Sequence, residues 1–118
     1  MIESYRDLRV YQIAYKLALE IHQISRRFPD FEKYEIGSQI RRAAVSIPIT
    51  IAKGYGKKSS NAEFKRFLQM AQGSKEETKV LLEIVKDLGY IQEEEYKELF
   101  NRYDELGKQL YRLHQNWE

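Results

Sequence analysis

Cysteine is absent from the 118 residues, which excludes disulfides, thiolate metal sites and a cysteine nucleophile, and is compatible with a reducing compartment. Histidine occurs only as His22 and His114. The residues three before them are Leu19 and Tyr111, so the chain lacks the Glu-x-x-His pairs with which helical bundles hold two metal ions. The same scarcity leaves no convincing pair of nucleophile and base, and the expectation is a protein that is not an enzyme and carries no metal or cofactor. No run of eighteen apolar residues occurs, and "MIESYRDLRVYQ" lacks the charged-then-apolar layout of a signal peptide. A soluble, cytoplasmic protein with no membrane partner is the expectation.

A phosphate loop is missing too, although "GYGKKS" invites the comparison. The pattern G-x-x-x-x-G-K-[ST] needs glycine where Ile51 stands and serine or threonine where Lys58 stands, and it needs a preceding strand. The net charge of +2 is too small to argue for nucleic acid by itself.

What is present suits one globular domain spanning residues 1–118, with 32% charged and 42% hydrophobic residues and no linker-like tract. Apolar positions in the first third are Val10, Ala14, Leu17, Ile21, Ile24 and Phe28, spaced alternately four and three. That spacing is the seam of a helix packed nearly parallel to its neighbours, predicted over residues 5–28 and stopped by Pro29. A third segment repeats it with Phe64, Phe67, Ala71, Ser74, Thr78, Leu81, Val85 and Leu88. Ser60 and Glu63 form a capping box at its start, and Gly89 suits a left-handed cap at its end. The last helix gives Tyr96, Leu99, Tyr103, Leu106, Leu110, Leu113 and Trp117, with Glu93, Glu94 and Glu95 in its first turn, where the helix dipole favours negative charge.

The remaining segment contains "SIPITIAKGYGKKSS", whose isoleucines alternate as a strand's would. A strand there would have no ladder partner, because no other stretch alternates. The helical reading uses more residues: Ile36, Ile40, Ala43 or Ala44, Ile47 and Ile51 share one face over residues 35–53. Pro48 cannot donate to the Ala44 carbonyl, so the helix is predicted to bend there, with Gly54 ending it. The fold expected is all-α: an antiparallel up-down four-helix bundle whose second helix is kinked at Pro48.

That second helix is apolar on two sides. Ile49 lies about 200° around from the core positions, with Val45 and Ala52 beside it. A bundle helix needs one buried stripe, so the other should meet a partner. The first helix offers Leu8, Tyr11, Tyr15 and Ala18 off its core seam, and Gly73 falls opposite the core of the third helix, where it permits close backbone approach. These eight residues are the candidate oligomer interface. Tyr96 and Tyr103 read as core residues, whereas Tyr55 and Tyr90 near the loops could pack or stack on bases.

Near-neutrality conceals a polarity. Residues 41–66 carry Arg41, Arg42, Lys53, Lys57, Lys58, Lys65 and Arg66 against Glu63, a net of +6, and residues 76–105 have a net of −6. The seven cations are candidate phosphate contacts for RNA or DNA. The alternative is that Arg41 and Arg42 pair with carboxylates such as Glu77, leaving only Lys57 and Lys58 free.

From "QIRRAAVSIP" through "IAKGYG", and on through Phe64, Phe67, Leu68, Ala71, Gly73, Ser74, Glu77 and "LGYI", the chain resembles the four-helix bundle family of 23S rRNA intervening-sequence proteins. Asp7, Leu8, Gln12, Phe28, Pro29 and Tyr34 extend the resemblance over nearly the whole length. The chain departs from the family at Thr50 and Lys53, where asparagine and glutamate are usual, and at Lys75 and Thr78, where apolar residues are. The resemblance implies a bundle that assembles as a ring, typically a homopentamer, with no established enzymatic activity. The chain is also similar to the accessory variability determinant proteins of diversity-generating retroelements, which implies binding to a reverse transcriptase and nucleic acid. The two expected roles are an RNA-associated oligomer and, as the alternative, a reverse-transcriptase accessory subunit.

Overall fold

The four apolar seams become four long helices in the computed structural model, which describes residues 2–118. A 3-10 turn at Tyr5–Asp7 precedes α1 (Arg9–Ser25); then follow the one-turn α2 (Asp30–Lys33), α3 (Ile36–Tyr55), α4 (Asn61–Asp87) and α5 (Glu93–Asn116). No strand occurs among the described residues. Neighbours around the bundle are α1 and α3, α3 and α4, α4 and α5, and α5 and α1, so α4 lies diagonally across from α1. The molecule is 45 Å long and about half as wide, 23 × 21 Å.

The seam positions of α1 and α3 fill the core. Val10, Ala14, Leu17, Ile21, Ile24 and Phe28 are buried, as are Ile40, Ala43, Ala44, Ile47 and Ile51. From α4 and α5 come Phe64, Leu68, Ala71, Leu82, Val85, Tyr103, Leu106 and Leu110. Thr78, polar but fully buried, donates its hydroxyl to the Ser74 carbonyl one turn back at 2.8 Å. Leu88, expected on the α4 seam, is instead exposed, because the helix ends at Asp87 and the chain turns away.

Caps fix the ends. Ser60 Oγ accepts from the Glu63 amide at 3.2 Å, while the Glu63 carboxylate turns to Arg66 and does not close the expected box. Gly89 takes φ +83°, and the Tyr90 amide reaches back to the Val85 carbonyl at 2.9 Å, a left-handed ending that favours glycine. The first helix starts later than residue 5. Ser4 accepts from the Arg6 amide and Asp7 accepts from those of Glu3 and Ser4, which closes a separate turn before the extended Leu8. It also stops sooner: residues 26–28 tighten into i→i−3 bonds beyond Ser25.

The helix α3 is continuous through Pro48, so the alternating isoleucines do not form a strand. Ser46 Oγ donates to the Ala43 carbonyl at 2.8 Å beside the donor that proline lacks. Gly54 does not end the helix. It is buried in the last turn, where a Cβ would lie 2.6 Å from Phe67 Cβ. Glycine is therefore required because α3 and α4 approach closely there. Gly54→Val is expected to lower stability by about 2 kcal/mol, since both the backbone-mounted Cβ of Phe67 and the helix behind it must move. Thermal unfolding followed by circular dichroism checks this, and an unchanged melting temperature would contradict it.

Candidate interaction surface

The outer stripe of α3 forms one wall of a groove against α1. Tyr11, Tyr15, Ala18 and Leu19 of α1 face Val45, Pro48, Ile49 and Ala52 of α3 across a space of ≈ 680 Å³. The groove lies on the outer side of this helix pair, whereas the core sides are closed by Leu17, Ile21, Ile47 and Ile51, all at 0% exposure. Tyr15, Leu19 and Ile49 are 49%, 52% and 50% exposed, a large apolar surface for one side of a small bundle. A ladder of rings stiffens the α1 wall: Tyr5 meets Tyr11 edge-on at 4.9 Å, and Tyr11 stacks on Tyr15 at 5.9 Å. The polar rim is His22, Gln23, Arg26 and Lys53, with no carboxylate among the lining residues.

Six of the eight residues proposed for an interface from sequence, Tyr11, Tyr15, Ala18, Val45, Ile49 and Ala52, thus line one groove. Leu8 does not. It is 2% exposed and belongs to the core, because its extended backbone at the start of α1 takes its side chain off the outer stripe. Ala18 is itself buried and forms floor rather than wall. Gly73 is exposed on α4, away from the groove, and a Cβ there would meet nothing within 4 Å, so no close approach occurs within the subunit. Leu19 and Pro48 were missed as lining residues. Leu19 falls one turn beyond Tyr15 on the same face, and that spacing was the available signal.

The basic residues do not form one patch. Arg41 and Lys53 stand in the second and last turns of α3, roughly 18 Å apart at 1.5 Å per residue, and Lys57 and Lys58 lie in the turn beyond it. Arg41 is half-buried and donates to Ser25 Oγ at 3.0 Å and to the Lys33 carbonyl at 2.8 Å, tying α3 to the ends of α1 and α2. It does not pair with Glu77, the carboxylate considered from sequence. Arg66 is engaged by Glu63 at 3.2 Å, and its guanidinium holds that carboxyl below the usual range. Such an exposed pair is screened by solvent and readily exchanged. Lys58 Nζ lies 4.1 Å above the ring of Tyr55, and Lys65 is half-buried. Arg42, Lys53 and Lys57 are exposed.

Of the two loop tyrosines, Tyr55 is buried against Phe64, and Tyr90 packs on Phe28 while donating to Glu32 at 2.6 Å, so both are structural. The acidic segment is partly consumed within the bundle: Glu95 pairs with Arg27, and Asp104 with Lys79. Among the described residues no helix is long and apolar enough to cross a membrane.

These features define a small helical bundle whose most developed surface feature is an apolar groove. The chain belongs to the 23S rRNA-intervening sequence protein family, whose description matches residues 6–112. It is similar to a crystal structure of a protein of unknown function from the S23 ribosomal protein family of Bacteroides thetaiotaomicron, with 25% identity and a TM-score of 0.82 over 91% of this chain and 96% of that one. Among curated proteins there is no match.

Arg41→Ala is expected to lower stability by about 1–3 kcal/mol, because a buried serine hydroxyl and a helix-terminal carbonyl lose their donor. Arg42→Ala, one residue on and exposed, is expected to change stability by less than about 0.5 kcal/mol. Urea denaturation of the two variants checks the contrast, and equal midpoints would contradict it.

Proposed function

We propose that this protein is a non-catalytic homo-oligomer, a closed ring whose subunits meet through the groove between α1 and α3 and which carries RNA on its exposed cations. The observation that carries the reading is the unfilled apolar groove itself, with Tyr15, Leu19 and Ile49 each about half exposed. Covering what remains of each side chain is worth about 1 kcal/mol, and a subunit contact is the simplest way to cover all of them together. Family membership supports a ring of five through the resemblance already described. Ile49→Asp places a charge at the middle of the groove, where desolvation without a partner costs several kcal/mol. Light scattering is expected to show this variant as a monomer with unchanged helical content. A variant that keeps the mass of the wild type would overturn the reading.

RNA binding is the finer part of the proposal, and it is supported by Arg42, Lys53, Lys57 and Lys58 at the surface. Repeated around a ring, a few weak phosphate contacts per subunit add through avidity. The alternative, a reverse-transcriptase accessory subunit in the cytoplasm, uses the same ring and the same cations with a protein partner in addition. Lys57→Glu combined with Lys58→Glu is expected to reduce both affinity for structured RNA and its dependence on salt, read in a salt titration. Absence of binding by the wild type at low salt would remove the RNA role and leave the protein-interaction role.

A further inference from the structure

A groove that accepts a second copy needs a surface on that copy to fill it, and α4 carries one. Met70, Val80 and Ile84 are its exposed large apolar residues, and its capping residue Leu88 adds a fourth. Together with Gly73 and Glu77 they recur at spacings of three and four, a second seam turned away from the core seam of Phe64, Ala71, Thr78 and Val85. Within the subunit nothing covers this seam, and no α4 residue lines the groove. The two surfaces therefore lie on different sides of the same bundle.

They match in three respects. From Met70 to Ile84 the helical part of the seam is about 21 Å long, and the α1 wall from Tyr11 to Gln23 is about 18 Å long, at 1.5 Å per residue. Their charges are opposite over most of their length: the groove is rimmed by Arg26 and Lys53, while exposed Glu77 and Glu83 flank the seam, whose cation Arg66 sits at the Met70 end and is held by Glu63. Gly73 presents bare backbone and open space on the exposed side of α4, which lets a partner helix or ring come close. A groove meeting another groove would instead bring Arg26 and Lys53 against their own copies, and like charges in a contact disfavour it.

Resting on the assembly proposed above, we infer that the groove between α1 and α3 of one subunit receives the Gly73, Val80, Ile84 and Leu88 seam of the next. Because the two contacting patches differ, the contact is head-to-tail, and an open chain keeps one free groove at one end and one free seam at the other until the ring closes. An isologous dimer would have no such remainder.

The lack of cysteine makes the test clean. The double variant Ile49→Cys with Val80→Cys, treated with a short bismaleimide, is expected to give a ladder of covalent species beyond the dimer on a denaturing gel. Each single variant is expected to stay monomeric on that gel. Dimers from Ile49→Cys alone would mean that groove meets groove, which overturns the head-to-tail inference while leaving the assembly itself intact. No ladder from a double variant that light scattering shows to be assembled would overturn the seam as occupant. A monomeric wild type would sink the assembly and this inference together. Gly73→Leu supplies a second readout: it replaces a poor helix former at an open position, so the subunit stays folded, while assembly is expected to weaken about tenfold or more. Unchanged assembly in that variant would also overturn the inference.

Discussion

A single helix can turn only one stripe toward the middle of a four-helix bundle, and α3 has two apolar stripes. Ile40, Ala44, Ile47 and Ile51 take the core, at 0% exposure, which forces Val45, Ile49 and Ala52 outward. Everything distinctive about the surface follows from that constraint. Small residues let α3 sit deep in the bundle: Ala43 and Ala44 are buried, and Gly54 lies against Phe67. Because the core stripe is held so closely, α3 cannot rotate to hide Ile49 without exposing Ile47 and Ile51. Losing their burial would cost roughly 1.5–3 kcal/mol for each residue, more than Ile49 could return.

The second consequence concerns charge. Arg41 is fixed between the ends of α1 and α2, and Arg66 leans on Glu63, so the cations of residues 41–66 that remain exposed and unpaired are Arg42 and Lys53 on α3 and Lys57 in the turn after it. The acids of α4 and α5 that are not bonded within the bundle lie elsewhere. A subunit with an apolar groove edged by cations and an apolar seam edged by carboxylates has the two halves of a directional contact.

Much of this was legible in the sequence, and the failures have physical causes. Seams repeat every three or four residues, so the helices and most of their core residues could be assigned, and the isoleucines around Pro48 joined a helix because no strand partner existed; the buried Leu68 and Leu82 lay beside the α4 seam and were not assigned. Leu8 was misplaced because spacing says nothing about the turn that Ser4 and Asp7 close before it. Gly54 looked like a stop signal but is a contact, since a glycine's neighbour across a helix pair is invisible in one sequence. Seven nearby cations looked like a patch, although helical rise sets Arg41 about 18 Å from Lys53 along α3, and Lys65 and Arg66 belong to α4. The α4 seam was half seen: Gly73 stood out, whereas Val80 and Ile84 were passed over beside the stronger core seam.

The measurement that bears most directly on the account is sedimentation of the wild-type protein over a range of micromolar concentrations. One chain has a mass of 14.1 kDa. The account predicts a single species at a multiple of that mass that does not grow with concentration, as a closed ring must. A particle of 14.1 kDa throughout the range would mean that the outer stripe of α3 is left to water, and it would contradict the central claim.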